Sequence, residues 1–456
     1  MAKHIGKQSI LFEKNISIRE TSSIVGKKEG EGPLSEFFDI IVEDSMFGQE
    51  SWEKAESEFV NANIKNLIEK SNLTNDKIDY IITGDLLNQC CGSTFGVKNF
   101  NIPLFSIFGA CSTMGEALSL GAILIESGGA KNIIVGASSH FCSAEKQFRF
   151  PMGLGNQRPQ TSTWTVTGHG GAILSDNNSS PYIKGITTGK IVDYGITDAN
   201  NMGAAMAPAA ADLILNNFQD FNLQPDYYDL IITGDLGYVG SNLLKELIKK
   251  EGYNIDKQHI DCGIEIYDKK TQDTHSGGSG CACSAVTFCG KIFHQLKSKN
   301  LNRILFIPTG ALMSPTSLQQ GENIAGIAHG VIIENWGDFM DYLKAFCVGG
   351  LICVIGQILI DKTKLTSARI LVLFVVIGCI LGGIGIYPKI VDFAGAGATI
   401  PLLGFGNNLA KGVINEIDNI GLIGIFSGGI KAAATGITAS IAFAFIMALI
   451  FNPKEK

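Results

Sequence analysis

Cys111 is the residue of this chain best placed to do chemistry. It stands within Ile102–His140, where a short apolar strand leads to a turn carrying the cysteine and a helix-like run begins at about Ser112. That run ends at Ser127-Gly128-Gly129, and a second apolar strand, Asn132 to Val135, follows. Ser112 and Thr113 suit a helix N-terminus, and Gly128 or Gly129 suits its C-cap. A thiol at such a helix start meets N–H groups and the positive end of the helix dipole, which favour the thiolate. Two chemistries follow: nucleophilic attack by sulfur, or, with the sulfur idle, the holding of an anion by the helix start.

The elements around Cys111 occur twice. Asp79-Tyr-Ile-Ile-Thr-Gly-Asp85 returns 150 positions later as Asp229-Leu-Ile-Ile-Thr-Gly-Asp235, and Ala110-Cys111-Ser112 returns as Ala282-Cys283-Ser284. Each triplet opens a helix-like run that ends in a strand, and a further amphipathic helix is predicted over Ser51–Ser71. Two matches in the same order argue for an internal duplication, with halves of about 1–177 and 178–335. Strands alternating with helices predict mostly parallel sheets covered by helices.

A chain of 456 residues suggests more than one domain. A formal net charge of −7 argues against nucleic acid as a partner. Eleven cysteines in no repeated spacing give neither a disulfide framework nor a zinc set, and point to a reducing compartment for the first domain. The opening residues carry no apolar signal-peptide core. Mean hydropathy is positive, +0.21, and the excess lies after about Tyr342.

Duplicated α/β halves, with a cysteine heading a helix in the first and the loop Thr274-His275-Ser276-Gly277-Gly278-Ser279-Gly280 in the second, resemble the thiolase and ketoacyl-synthase families. The resemblance implies an αβαβα sandwich in which a histidine, here His275, faces the nucleophile Cys111. Two family features are missing. Gly234-Asp235-Leu236-Gly237 replaces the ketosynthase histidine, and Gly326-Ile-Ala-His329-Gly330 replaces the late thiolase cysteine motif. Acyl transfer needs a base for the thiol, oxyanion donors and a second acid or base. Cys111 and His275 therefore read as vestigial, and a membrane-anchored acyltransferase of the thiolase type is the competing expectation.

The stretches Gln147–Asp176 and Thr274–Lys291 are more specific, and through them residues Lys7 to Asn335 resemble the stage V sporulation protein AD family of endospore formers. That resemblance implies a thiolase-like domain that binds dipicolinic acid, alone or with calcium carried by the ligand, and no other cofactor. A flat pyridine with two carboxylates asks for cations or N–H donors and an apolar slot. The expected contacts are Cys111, Ser139, His140, Arg149, Arg158, His169 and His275, with Phe148 and Trp164 beside the ring. No protein-held metal site is expected.

After a junction at residues 336–340 the composition turns apolar. Tyr342–Ile360, Ile370–Tyr387 and Thr435–Phe451 each have about the length of a bilayer span, so residues 341–456 read as an all-α membrane domain with at least three crossings. Between the second and third, Val391–Ile414 carries Gly395, Gly397, Pro401, Gly404 and Gly406, which predict a broken, re-entrant element. Asn407, Asn408 and Lys411 would be the polar part of a conduit, with Lys431 a weaker candidate. Asp341–Pro453 resembles the stage V sporulation protein AE family, so the chain reads as AD and AE joined end to end, Met340 standing where a separate second chain would begin. The implied partners are dipicolinic acid, the bilayer and other membrane subunits of the stage V A group, with a dimer allowed through the first domain. The implied place is the inner forespore membrane. Basic residues at 362, 364, 369, 454 and 456 would put the first domain outside by the positive-inside rule, whereas a domain without an export signal belongs inside.

Overall fold

The two copies of the repeated motif fold into the same corner of two sheets. The Asp79 carboxylate accepts the N–H groups of Lys131 and Asn132 at 2.7 and 3.0 Å. That of Asp229 accepts those of Asn302 and Arg303 at 2.7 and 2.9 Å. In both halves the first aspartate pins the start of the neighbouring strand, which gives the duplication a structural reason. The computed structural model describes residues 2–148, 157–177, 179–335 and 339–434, together with 438 and 445. Contacts divide the chain into two units, Met1–Trp336 and Gly337–Lys456.

The strands of the first half are β1 (Ser9–Gly26), β2 (Tyr80–Gly84), β3 (Leu104–Ser106), β4 (Asn132–Ser139) and β5 (Gly168–Ser175). Those of the second are β6 (Tyr182–Thr187), β7 (Leu230–Thr233), β8 (His259–Asp261), β9 (Arg303–Ile307) and β10 (Gly330–Glu334). Each half places its strands in the order third, second, fourth, fifth, first. The second strand pairs in parallel with the third and fourth, while the fifth is antiparallel to both neighbours. The sheets are thus mixed rather than mostly parallel, because an antiparallel neighbour needs no crossover helix. β1 joins them: Ser9–Ser17 pairs with β6, and Ser17–Val25 pairs with β5.

Helix α1 (Trp52–Ser71) covers β1 and β5, and α2 (Thr113–Glu126) packs on β4 from the other side. α2 is held from both flanks. A side chain at Gly121 would meet Leu174 and Val135 of the first sheet, and one at Gly115 would come within 2.8 Å of the His329 carbonyl oxygen in the second half. α3 (Met202–Phe221) and α4 (Gly237–Lys250) pack together over the second half, while α5 (Cys281–Thr287) joins α2 in the middle layer. Phe288, just after α5, stacks on Phe306 of β9 with ring centroids 4.6 Å apart. The layers are helix, sheet, helix, sheet, helix: the thiolase-like αβαβα sandwich.

The described part of the second unit is helical: α6 (Phe339–Lys362), α7 (Ser367–Gly383), α8 (Ile386–Ala394), a turn at Ala396–Thr399, and α9 (Leu402–Ile420). Tyr342–Lys362, 21 residues, is long and apolar enough to cross a bilayer, at about 1.5 Å per residue. The second predicted run is divided, because α7 stops at Gly383 and Tyr387 belongs to α8. Apart from residues 438 and 445, the third run lies outside the described residues.

The chain breaks at Gly395, with φ +50°, and again at Pro401, which caps α9. Gly404 and Gly406 do not break it. α9 runs through both, and a Cβ at Gly406 would come within 2.1 Å of the Val375 oxygen, so this glycine lets α9 lie against α7.

Candidate functional site

Cys111 heads α2 as the sequence predicts, but the turn beneath it is closed. Ala110 has φ +50°, a left-handed conformation uncommon for a residue with a Cβ. The Ser112 N–H donates to the Gly109 oxygen at 3.1 Å and the Thr113 N–H to the Ala110 oxygen at 3.3 Å. The expected anion cradle is therefore spent at these two donors on the turn's own carbonyls. Glu116, in the first turn, adds a carboxyl whose ionisation burial disfavours.

The partner of the thiol is Asp235. Its carboxyl is close enough to act on the thiol electrostatically, and the Gly280 N–H donates to Asp235 Oδ2 at 3.4 Å. Thr309 Oγ1 donates to Asp235 Oδ1 at 2.7 Å. Gly280 has φ +96°, and a Cβ there would lie 2.7 Å from Ser139 Oγ, so only glycine brings this N–H to the site. Burial pushes the Asp235 carboxyl up to about 7, with Asp261 adding to the shift while the Thr309 hydrogen bond and the Cys111 thiol oppose it. Burial, then the charge of Asp235, raises the Cys111 thiol well above its ordinary value. The sulfur is a neutral thiol beside an acid, the reverse of an activated nucleophile.

Asp235 is the residue that sequence reasoning misses, since Gly234–Gly237 reads there only as a lost histidine. Its twin in the repeat, Asp85, is occupied locally, accepting the Leu87 N–H at 2.7 Å and the Ser93 N–H and Oγ at 2.6 Å each. In the second half Asp261 takes over that local work: it accepts the N–H groups of Leu236 and Gly237 at 2.9 Å each. Asp235 is released to face Cys111. The repeat was the available signal, but Asp261 lies on another strand.

Above this polar floor lies an open-mouthed pocket whose cavity volume is about 40 Å³, room for a few waters and well short of the roughly 300–1,000 Å³ usual for small-molecule sites. Leu86, Phe108, Phe148, Met202 and Met313 form an apolar collar, and Cys111, Glu145, Thr165, Ser279 and Gly280 supply polar lining. Ser279 and Gly278 are held by pairing with Trp164–Thr165.

Of the predicted contacts, Cys111 and Phe148 line this pocket. Ser139 lies beneath it, donating to the Val166 oxygen at 2.7 Å and accepting the Ala282 N–H at 3.1 Å. The other predicted residues described are turned elsewhere. His275 Nδ1 lies 2.9 Å from the Pro159 oxygen and Nε2 lies 3.2 Å from Asp273, so this histidine is not the partner of the thiol. Its own backbone is left-handed, φ +54°. His140 is bonded through Nε2 to the Ser45 oxygen at 2.8 Å. His169 is buried against Asn63, 2.8 Å away, and burial drops its pKa to about 3. Arg158 lies over the Trp164 ring and bonds the Thr163 oxygen, while Trp164 is stacked on Phe141 at 3.8 Å. Arg149 lies outside the described residues. Among the described residues no three His, Cys, Asp or Glu side chains form a metal-holding group.

In the membrane unit, Asn407 is buried at 2% exposure against α7, while Asn408 and Lys411 are exposed. Lys431 forms an ion pair with Glu416 at 2.6 Å.

The sequence comparisons agree with this two-part architecture. Residues 6–334 match the family model of stage V sporulation protein AD, and residues 341–450 match that of the SpoVAC/SpoVAEB sporulation membrane protein. The chain is 44% identical over 335 residues to stage V sporulation protein AD of Bacillus subtilis (strain 168), covering 74% of this chain and 99% of that protein. It is 36% identical over 123 residues to stage V sporulation protein AC of the same organism, covering 25% of this chain and 81% of that protein. Among solved structures it is similar to 3-oxoacyl-[acyl-carrier-protein] synthase III from Aquifex aeolicus VF5, at 13% identity and TM-score 0.44, covering 70% of this chain and 100% of that one. It is also similar to a variant of Xanthomonas campestris OleA, at 13% identity and TM-score 0.48, covering 71% of this chain and 100% of that one. Neither likeness lends this chain its chemistry. The chain belongs to the stage V sporulation protein AD family, and it carries after that domain a membrane module of the SpoVAC/SpoVAEB family.

Proposed function

We propose that this sporulation membrane protein binds dipicolinic acid in the Cys111 pocket and passes it through a conduit to which the membrane module contributes. The observation that carries the binding half is the neutral thiol–carboxyl pair at the floor of an apolar collar. Such a floor hydrogen-bonds a ligand without attacking it, and the collar suits a flat ring. Thr165 offers a donor to one carboxylate. Glu145 in the lining opposes a free dianion, which favours the ligand arriving with calcium, whose preference for several oxygen ligands the two dipicolinate carboxylates begin to meet.

In this reading the chain is a multi-pass protein of the inner forespore membrane. It works with other stage V A subunits in uptake during sporulation and release at germination, and the thiolase-like domain pairs with a second copy. What supports the conduit half is the backbone break at Gly395–Pro401 within a membrane module, since irregular backbone survives there only inside protein or along water. The test is calorimetric titration of the full chain in detergent with dipicolinate, with and without calcium, beside incubation with radiolabelled acyl-CoA. The proposal expects saturable heat, stronger with calcium, and no label on Cys111. Label on Cys111 without dipicolinate heat would replace it by acyl transfer.

A further inference from the structure

We propose that Asn408, Lys411 and Asn415 form the wall of the conduit and that Lys411 makes it select anions. The inference rests on the conduit half of the reading above and adds its charge selectivity and the residues that set it.

Two faces of α9 are already occupied. A Cβ at Gly378 of α7 would lie 2.1 Å from the Leu403 oxygen, and one at Gly382 would lie 2.8 Å from Asn407 Oδ1 and 3.3 Å from Ala410 Cβ. Leu403, Gly406, Asn407 and Ala410 thus face α7. Gly412 faces the helical residues 424–434, where a Cβ on it would meet the Gly428 oxygen and Ala432 at 2.5 Å. Asn408, Lys411 and Asn415 remain, all exposed, at spacings of three and four that put them on one helical face.

A lysine and two asparagines cannot face lipid tails without cost, and ionisable groups in membrane helices turn to protein or to water. Lys431 is paired with Glu416, whereas Lys411, like Lys389 of α8, forms no ion pair among the described residues; of these two only Lys411 shares its helical face with other exposed polar side chains among them, Asn408 and Asn415. An unneutralised cation on a water-facing stripe is complementary to a small carboxylate anion. Its depth is informative too. Gly382, beside the last residue of α7, is level with Asn407 and Ala410, so Lys411 stands at the end of α7 rather than at its middle. A charge there acts at the mouth of a path, repelling cations and concentrating anions. The described residues offer a single stripe, so further copies of this chain close the path and repeat Lys411 around the mouth.

The test uses the full chain in phosphatidylethanolamine–phosphatidylglycerol vesicles. The readouts are the reversal potential in a KCl gradient and the efflux of dipicolinate, detected by terbium luminescence. The wild type is expected to prefer anions by about tenfold. Lys411→Glu should reverse that preference, Lys411→Gln abolish most of it, and Asn408→Asp reduce it. Asn407→Ser, on the packed face, should leave selectivity unchanged, whatever it does to yield. Should Lys411→Glu fail to insert, the glutamine and Asn408→Asp variants decide. A wild type that conducts with unchanged selectivity in these variants overturns this inference alone. A wild type that passes no ion or dipicolinate overturns the conduit reading and this inference with it.

Discussion

Replacing Asp235 with asparagine tests the electrostatics of the pocket most sharply. Burial moves its carboxyl from an ordinary 3.8 to about 7. The folded chain therefore keeps a proton that the unfolded chain releases near pH 4. Between those values the folded state binds more protons than the unfolded, so stability is fullest below the unfolded pKa and falls as pH rises, the loss being complete above about pH 7. A gap of roughly three pH units at about 1.36 kcal/mol each amounts to about 4 kcal/mol. Asparagine resembles the neutral acid and does not titrate. Asp235→Asn should match the wild type near pH 4, exceed it by about 1.5 kcal/mol at pH 5, and by about 4 kcal/mol at pH 8. Because the other buried acids are common to both proteins, the difference isolates Asp235. The assay is urea unfolding of the full chain in detergent from pH 4 to 8, followed by the fluorescence of Trp52 and Trp164. Curves that stay parallel across the range, or a variant less stable at pH 8, would refute the reasoning.

Two further outcomes follow from the same geometry. Iodoacetamide at pH 8, read by peptide mass mapping, should label Cys111 at least about tenfold more slowly than half-buried Cys91 and Cys142, because its thiol is buried beside an acid; preferential labelling of Cys111 would return it to the nucleophiles. In the membrane unit, Gly406→Leu should cost about 2 kcal/mol or more, seen as lost thermal stability in detergent, because the side chain meets the Val375 backbone. Gly350→Ala, where a Cβ meets nothing within 4 Å, should be neutral or slightly stabilising.

The duplicated fold was legible because its two anchors, Asp79 and Asp229, are local: each binds backbone at the start of the adjacent strand. The same holds for Cys111 at a helix start. The mixed pairing was not legible, since periodicity marks a strand without giving the direction of its neighbour. The site's partner was hidden for a different reason. Asp85 and Asp235 end identical motifs, and only the arrival of Asp261 on β8 separates their roles. His275 misled because a glycine-rich loop of the right composition delivers Gly280, five residues on, to Asp235 beside the thiol. Gly404 and Gly406 misled because a propensity learned from helices in water counts glycine as a breaker, whereas between packed membrane helices it permits close approach.

The central claim is that the Cys111 pocket holds a ligand instead of performing acyl transfer. It is tested most directly by comparing dipicolinate binding to the wild type and to Ala311→Trp by calorimetry in the presence of calcium. Ala311 lines the pocket, and an indole there fills the collar while leaving Cys111, Asp235 and Gly280 unchanged. The account predicts saturable binding with one site per chain in the wild type and none in the variant, the variant remaining folded by circular dichroism. Equal binding to both proteins would place the ligand elsewhere and contradict the account.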